Sequence, residues 1–512
     1  MTQVLVLNFG SQVAHLICRR VRELGVYAEI VPHTVSKDEI LAIGPKCIIL
    51  SGGPSSVYVE NAPLCDQDIL NLDVPILGIC YGHQLIARCS KGKVSNKKIK
   101  EFGKKILWVK KESDLLKGIG HETQVWMSHG DSVEELPNGF ITLASTDTCR
   151  IAAFANTEHG LYGVQFHPEV AHTPKGRDML ANFIFRISRC KKDYSVDNLK
   201  DELIQEIRES VGSEHVLMAI SGGVDSTVAA VLISEAIGKH LHCVFIDHGL
   251  LRYHEKATVE KRYKKFNLDI NYVDASQIFM SRLKGVTDPE EKRKAIGYTF
   301  IEVFEREAKK LEKRHPKIGF LAQGTIYPDR IESAQPNKQA DKIKSHHNLT
   351  LPEKMHLKIL EPLKNLYKDG VRELGAKLNI PDEILNRHPF PGPGLAIRIL
   401  GEITGDRLEI LRNADKIYMD ELKKNKQYRK IWQAFAALLP VKSVGVMGDA
   451  RTYEYIIALR AVTSLDAMTA DWAKIPNGIL EHISNRIINE VRGVNRVVYD
   501  ITQKPPGTIE YE

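Results

Sequence analysis

The stretch Pro75-Ile76-Leu77-Gly78-Ile79-Cys80-Tyr81-Gly82-His83-Gln84 joins a short apolar run to a cysteine and then to a probable helix. Similar apolar runs, separated by turn clusters and helical stretches, occur at Val4–Leu7 and Cys47–Leu50. Strands that alternate with helical patterns are typical of an α/β sheet. Residues 1–190 are therefore predicted to form an α/β domain.

The same pattern returns after a charged stretch at residues 189–194, which we interpret as a linker. Its strands are predicted at Val216–Ile220, Cys243–Asp247 and Ile318–Ala322. A Pro- and Gly-rich segment, Arg387–Gly394, indicates a further boundary. At 512 residues the chain exceeds what one core usually organises. We predict three domains, 1–190, 196–387 and 388–512: two doubly wound α/β domains and a small α/β C-terminal domain.

The composition is ordinary for a globular chain, with 43% hydrophobic and 26% charged residues. The net charge of +7 is spread over 71 basic and 64 acidic residues, which predicts no nucleic-acid partner and suits phosphorylated small molecules. We find no apolar run of membrane-spanning length and no signal-peptide pattern, so we expect a cytoplasmic protein without membrane contact. The 8 cysteines are scattered without a C-x-x-C pair, so we expect reduced thiols.

Cys80 lies where a strand would turn into a helix, and a helix N-terminus stabilises a thiolate. A buried core cysteine is the simpler alternative. In Gly163-Val164-Gln165-Phe166-His167-Pro168-Glu169, period-two alternation would place His167 and Glu169 on one face. Cys80 could then attack, with His167 as its base and Glu169 orienting the imidazole. Ser51-Gly52-Gly53-Pro54 could offer backbone N–H groups to an oxyanion.

Together these stretches resemble the class I glutamine amidotransferases from residue 4 to about 187. The resemblance implies that Cys80 forms a glutamyl thioester and releases ammonia, with His167 and Glu169 as its partners. It further implies that Gly53 and Tyr81 are oxyanion donors and that Gln84 contacts glutamine. His83 and Asn8 depart from the residues that relatives more often carry, Met and Asp.

A second motif, Ser221-Gly222-Gly223-Val224-Asp225-Ser226-Thr227, follows the strand at Val216–Ile220 and precedes a helical stretch. Glycines that turn the backbone at a helix N-terminus favour a bound anion, and the hydroxyls add donors. An ordinary glycine turn with a serine cap is the alternative. Because no Gly-Lys-Ser/Thr ending follows, the motif argues against γ-phosphoryl transfer.

This motif resembles the PP-loop ATP pyrophosphatases over residues 216–387. The resemblance implies attack of a substrate oxygen on the α-phosphate of ATP, with release of pyrophosphate. Asp247 would lie near the nucleoside, and Asp225 would bind Mg²⁺ unless it only begins a helix. The implied ATP contacts are Ser221, Gly222, Gly223, Val224, Asp225, Ser226, Thr227 and Asp247.

The last third of the chain resembles the GMP synthetases. The segments that carry this likeness are Arg387–Leu395, Val444–Asp449, Asn495–Asp500 and Lys504–Glu512. The resemblance implies a homodimer and the substrates XMP, ATP and glutamine, with an adenylyl-XMP intermediate. Because water would destroy this intermediate in an open site, we expect the stretch Lys342–His347, within the basic loop at 337–347, to close over it. A solvated basic surface is the alternative for this loop. The implied XMP contacts are Arg293, Gln433, Arg496, Lys504, Ile509 and Glu510. A solvated tail is the alternative for the residues near the terminus.

Three other functions share some of these features. A glutamine-dependent synthetase that makes NAD or CTP would share the ammonia chemistry but not this C-terminal segment. An RNA-modifying PP-loop enzyme would need a basic stripe or sulfur-carrying cysteines, and a regulatory binding protein would not need Cys80, His167 and Glu169 together.

Overall fold

The structure is a computed structural model that describes residues 2–11, 14–59, 61–170, 172–315, 317–327, 329, 357–447, 449–464, 470–504 and 506–512. The chain divides into two compact units, Met1–Asn198 and Leu199–Glu512. The predicted loop at 337–347 lies outside the described residues. In the part that is described, no helix has the length and apolar character needed to cross a membrane.

The first unit contains one nine-stranded sheet. Its strands are β1 Val4–Asn8, β2 Ala28–Pro32, β3 Cys47–Leu50, β4 Ile76–Ile79, β5 Lys93–Val109, β6 Glu122–Glu135, β7 Ile141–Ser145, β8 Ala153–Asn156 and β9 Leu161–Val164. The spatial order is β2-β1-β3-β4-β9-β8-β7-β5-β6. The first five strands in this order pair in parallel, and the other pairings are antiparallel. The sheet is therefore mixed.

The described helices of this unit are α1 Ala14–Glu23, α2 Lys37–Ile43, α3 Tyr81–Cys89 and α4 Gly176–Ala181, which a π-helical turn at Asn182–Ile187 continues. Strands β3 and β4 are buried along their whole length, as their continuous apolar sequences require. Local chemistry fixes the limits of α2. Ser36 and Glu39 form a reciprocal capping box at its start, and Gly44 ends it in the left-handed conformation.

The second unit begins with a five-stranded sheet in which every pairing is parallel. Its strands are β10 His215–Ala219, β11 Leu241–Asp247, β12 Asp269–Asp274, β13 Ile318–Ala322 and β14 Lys358–Leu360, in the order β12-β11-β10-β13-β14. The described helices are α5 Val196–Val211, α6 Val224–Ile237, α7 Glu255–Tyr263, α8 Ser276–Leu283, α9 Pro289–Arg314, α10 Lys368–Lys377 and α11 Asp382–Leu385. The α/β fold predicted from the apolar runs is confirmed.

A four-stranded sheet completes the second unit. Its strands are β15 Gln433–Met447, β16 Ala450–Thr463, β17 Asp471–Trp472 and β18 Val494–Asp500, accompanied by α12 Gly405–Lys424 and α13 Asn477–Glu490. Strand β16 is antiparallel to β15 and β17 and parallel to β18. One apolar cluster holds Leu217 and Val244 from the parallel sheet together with Leu438 and Ile457 from this one. The two sheets therefore share a core, and the predicted division at residue 388 stays a prediction.

Candidate active sites

Cys80 lies at the sharp turn between β4 and α3. Its φ of 52° and ψ of −100° are rare for a residue with a side chain. The turn is so tight that a Cβ on Gly78 would lie 2.4 Å from the backbone of Gly82. A Cβ on Gly82 would lie 2.4 Å from the carbonyl oxygen of Leu50. The two glycines thus let the chain place the cysteine directly before the helix N-terminus.

His167 and Glu169 form a buried pair beside this cysteine. The distance between His167 Nδ1 and Glu169 Oε1 is 2.7 Å, and the Glu169 side chain is completely buried. The backbone N–H of Cys80 donates to Val164 at the end of β9, which brings the segment with the histidine next to the turn. Because β9 ends at Val164, His167 and Glu169 lie in the turn that follows the strand. Their contact therefore does not arise from the period-two alternation of a strand, as the sequence pattern had predicted. Pro168, between them, cannot donate to a strand ladder.

The surroundings of His167 favour its charged form. Burial is the largest single influence and lowers the pKa of His167, but Glu169 and Cys80 together raise it well above the ordinary value. The hydrogen bond to Glu169 also fixes the orientation of the ring. The site can therefore stabilise an imidazolium close to the sulfur of Cys80, as a cysteine nucleophile requires.

The predicted oxyanion donors lie against this turn. A Cβ on Gly52 would meet His167 Cε1 at 3.3 Å and the Cβ of Cys80 at 3.7 Å. Gly53 packs so closely that its Cβ would lie 2.8 Å from the Phe9 carbonyl oxygen. Tyr81 is the first residue of α3, so its N–H belongs to the first turn, where amides have no acceptor inside the helix. Both backbones are placed where they could face a developing oxyanion.

Gln84 lies in the same site, where its side-chain amide is hydrogen-bonded to other groups of the protein. Its Nε2 donates to the Asp131 carbonyl oxygen at 2.8 Å and to Gln165 Oε1 at 3.2 Å. Gln165 Nε2 in turn lies 3.8 Å from Cys80 Sγ, which is 3.6 Å from the Ser128 carbonyl oxygen. The sequence analysis missed Gln165, Ser128 and Asp131. Gln165 adjoins the predicted His167 motif, whereas the other two carry no local signal.

Two further histidines lie buried in this unit. His129 donates through Nδ1 to the Asp131 carbonyl oxygen (2.8 Å) and through Nε2 to Glu101 Oε2 (3.1 Å), a second pair that the sequence analysis also missed. His83 is fully buried and stacks on Phe154 at a centroid distance of 4.4 Å. Burial lowers the pKa of His83 to about 3, so this ring stays neutral. His83 is thus a packing residue here. Asn8, the other departure, accepts a local bond from Gly10 N at 3.0 Å.

The phosphate-loop motif connects β10 to α6. Gly222 has a φ of +75°, and α6 begins directly after Gly223. The hydroxyls order the loop, because Ser221 Oγ and Ser226 Oγ lie 3.0 Å apart and Thr227 Oγ1 donates to Gly223 O at 2.6 Å. The loop therefore presents a preformed turn at a helix N-terminus, the arrangement that binds phosphate groups.

Two basic residues that the sequence analysis missed hold this loop. Lys368 Nζ lies 2.7 Å from Asp225 Oδ1, and both side chains are partly exposed. Arg387 donates to the Gly222 carbonyl oxygen at 3.1 Å and pairs with Glu255 at 2.6 Å. Arg387 opens the Pro- and Gly-rich segment interpreted above as a boundary. That segment is thus also a support of the phosphate loop.

Asp247 ends β11, beside the strand that leads into the phosphate loop. A cavity of about 390 Å³ borders it and is also lined by Tyr253, Glu255 and Lys256. This volume is within the range of small-molecule sites. Its position outside the carboxyl ends of parallel strands is where α/β sheets usually bind ligands.

The predicted XMP contacts are brought together only in part. Gln433 Nε2 donates to Glu510 Oε1 at 2.6 Å, and the completely buried Arg398 binds both oxygens of Glu510 at 3.0 and 2.8 Å. Ile509 is 8% exposed and packs in an apolar cluster with Phe435. The alternative of a solvated tail is therefore wrong for Ile509 and Glu510.

The other three predicted contacts lie on different elements. Arg293 pairs with Glu290 one turn earlier in α9, and Arg496 is exposed on β18. Lys504 exchanges both of its backbone hydrogen bonds with Ala470, at 2.8 and 3.0 Å. Among the described residues, no hydrogen bond joins Arg293 or Arg496 to Glu510.

Comparison with known protein families assigns three regions of the chain. The family described as "Glutamine amidotransferase class-I" matches residues 5–187, "NAD synthase" matches 195–294 and "GMP synthase C terminal domain" matches 420–511. Together with the Cys80–His167–Glu169 arrangement and the phosphate loop, these matches define a glutamine amidotransferase joined to an ATP-using synthetase.

Full-length relatives identify the family. A glutamine-hydrolyzing GMP synthase of Aquifex aeolicus is 58% identical over 510 residues, 99% of this chain and 99% of the relative. Relatives of the same name from Brachyspira hyodysenteriae and Thermosipho africanus are 54% and 52% identical over 100% of this chain and 99% and 100% of their own lengths. The chain belongs to the glutamine-hydrolyzing GMP synthases. It is a glutamine-dependent ligase of purine nucleotide synthesis that forms GMP with ATP as co-substrate.

Proposed function

We propose that GMP formation is divided between a glutaminase site at Cys80 and a synthetase site at the phosphate loop. In the first, the Cys80 sulfur attacks the side-chain amide of glutamine while His167 carries the thiol proton to the leaving ammonia. Glu169 stabilises the imidazolium that forms between these steps. Backbone N–H groups of Gly53 and Tyr81 stabilise the tetrahedral oxyanion. Water then hydrolyses the thioester to glutamate. The single observation that carries this half is the buried 2.7 Å His167–Glu169 contact beside Cys80.

In the synthetase half, the XMP 2-oxo group attacks the α-phosphate of ATP and pyrophosphate leaves. Ammonia then displaces AMP from the adenylyl-XMP intermediate to give GMP. The preformed loop Ser221–Thr227, with the nearby cavity at Asp247, supports this proposal because it lacks the lysine of γ-phosphoryl transfer.

The products test this reaction directly. With XMP, ATP, Mg²⁺ and glutamine, we expect GMP, AMP and pyrophosphate to form in equal amounts. AMP and pyrophosphate must appear together because only attack at the α-phosphate separates them. Chromatography of the nucleotides with a pyrophosphate assay measures all three. Formation of ADP in place of AMP would contradict the adenylylation step.

We further propose that Asp225 contributes to binding Mg²⁺. The Asp225 carboxylate is a hard oxygen ligand that is partly exposed beside the phosphate loop, and Mg²⁺ is commonly held by one or two carboxylates together with substrate phosphates. The residues therefore fit the ion, provided that Lys368 shares or releases the carboxylate. When bound, Mg²⁺ would neutralise phosphate charge. Lys368 would supply a second positive charge at the same place.

Lys504 is proposed to bind the XMP phosphate, together with the other predicted contacts. Removing a charge-assisted contact costs about 1.5–3 kcal/mol, so Lys504→Ala should weaken XMP half-saturation about 10- to 150-fold. Lys504→Arg should restore only part of the affinity for XMP, because the guanidinium has a different reach from the ammonium group of lysine. The measurement is an XMP titration with ammonium as nitrogen source, with circular dichroism to verify folding. Lys313→Ala, an exposed lysine at the end of α9, is the control. Parent-like half-saturation in Lys504→Ala would place the phosphate elsewhere.

A homodimer is proposed on the basis of an exposed apolar face of the β15–β16 hairpin. Val444 and Tyr453 are cross-strand partners, and Val446 lies two residues further on the same face. Their exposed fractions are 51%, 63% and 73%, and contiguous apolar surface of this kind indicates an interface. Val446→Glu should convert a dimer into monomers in analytical ultracentrifugation. Leu41→Glu, a similarly exposed apolar position on α2, should not. A monomeric parent chain would contradict the proposal.

A further inference from the structure

Four histidines and an aspartate meet at the amino-terminal edge of the parallel sheet in the second unit. His215 begins β10, and His242 is the second residue of β11, which His240 directly precedes. Asp269 begins β12, and His315 follows the end of α9. The backbone N–H of His215 donates to the Lys317 carbonyl oxygen at 2.7 Å, which joins the start of β10 to the segment that follows α9. The phosphate loop follows the opposite end of β10, roughly 17 Å away for a strand of this length. The proposed catalytic residues do not use this cluster.

Hydrogen bonds define the protonation of the central ring. His242 Nδ1 lies 2.9 Å from Asp269 Oδ2, and His242 Nε2 lies 2.8 Å from His215 Nδ1. Because a carboxylate only accepts, His242 donates through Nδ1, and in the neutral ring the lone pair is then on Nε2, which faces Nδ1 of His215. A carboxylate that binds one nitrogen of a histidine while the other nitrogen faces further ligands is the usual outer shell of a metal site.

His315 supplies the third nitrogen. Its ring stacks on His242 at a centroid distance of 4.0 Å, and the available ligand atoms of His215, His242 and His315 all lie within 4.8 Å of one another. Nitrogens on one tetrahedral zinc ion are about 3.3 Å apart, given bonds of about 2.0–2.1 Å. A rotation of the partly exposed His315 ring would supply this adjustment. His240 stacks on His215 at 4.4 Å and supports that ring.

We propose that His215, His242 and His315 bind one divalent transition-metal ion of zinc-like chemistry, with Asp269 orienting His242. The ion would lie between His215 and His242 in place of the proton that these two rings share, and the one proton of neutral His215 would then be on Nε2. Three imidazoles without a thiolate suit Zn²⁺, Co²⁺, Ni²⁺ or Cu²⁺ better than Mg²⁺. The ion would join the starts of two strands to the end of α9 and so hold these segments together.

Cobalt titration of the full chain tests the site. The chain is freed of any affinity tag, stripped of metal and kept reduced, and Co²⁺ is added at neutral pH. We expect a visible d–d absorption that saturates at one Co²⁺ per chain and is abolished by Zn²⁺. No saturable band would overturn the proposal, and so would a sulfur charge-transfer band, because it would place the ion at a cysteine.

Variants locate the ion. His315→Ala removes a ligand from a partly exposed position, and we expect affinity to fall at least about tenfold. Asp269→Asn keeps every ligand but weakens the outer-shell contact, and such changes usually cost about 10- to 100-fold in affinity. His482→Ala, an exposed histidine of α13, should bind Co²⁺ like the parent. Ammonium-dependent GMP formation should stay unchanged in all three, which verifies folding. Parent-like Co²⁺ binding by His315→Ala would overturn the proposal.

Discussion

Asp225→Ala is expected to abolish GMP formation from glutamine and from ammonium alike. Both nitrogen sources need adenylylated XMP, and the proposed role of Asp225 is to hold Mg²⁺ at the phosphates of ATP. Loss of one electrostatic contact to a transition state usually costs about 100- to 1000-fold in rate, so we expect at least that loss here. The XMP-dependent exchange of pyrophosphate into ATP should disappear with it. This exchange is the decisive measurement, because it reports adenylylation without ammonia.

A second aspartate separates this role from a helix-start role. Asp406 is exposed in the first turn of α12, where it interacts with a helix N-terminus but with no phosphate loop. Asp406→Ala should lose only about 0.3–1 kcal/mol of stability and none of the exchange. If Asp225→Ala also keeps the parent exchange rate, then Asp225 only begins a helix.

Cys80→Ala is expected to abolish glutamine-dependent GMP formation and leave the ammonium-dependent reaction within about twofold of the parent. Removal of a covalent nucleophile usually costs many orders of magnitude, so glutamine hydrolysis should fall at least about 1000-fold. The synthetase reaction should persist because ammonium bypasses the thioester. Parallel assays with the two nitrogen sources measure both effects. Loss of both activities in a folded variant would count against two separable sites.

Cys65→Ala is the matched control for this variant. Cys65 is also buried in the first unit, and burial raises the pKa of its thiol to about 12, so it stays protonated. It should keep both activities. Loss of glutamine-dependent synthesis in Cys65→Ala would show that the Cys80 result reflects a damaged core.

Much of the fold was predictable because a fully buried strand appears in the sequence as a short continuous run of apolar residues. Val4–Leu7 and Ile318–Ala322 are continuous apolar runs, and both are strands within a parallel part of a sheet. The antiparallel side of the first sheet was not predicted. Its long strands β5 and β6 are rich in polar residues, and their pairing depends on partners that a local pattern does not name.

The proposed glutaminase residues were predictable for a different reason. His167 and Glu169 are two residues apart, and Cys80 lies in a glycine turn whose steric need is visible in the sequence. The phosphate loop is likewise contiguous. Lys368 was missed because it lies 143 residues from Asp225, and Arg387 because it lies 165 residues from Gly222.

The sequence was therefore sufficient for the buried parallel strands, the glycine turns and the contiguous motifs, since backbone sterics and burial act over a few residues. Resemblance extended this to the substrates. The contacts of Gln165 with Cys80, of Arg398 with Glu510 and of His215 with His242 depended on tertiary structure. Each joins side chains from separate elements, and their distance is set by strand order and by packing of a shared core. No local pattern encodes that distance, because the same residues would lie far apart if the strands were ordered differently.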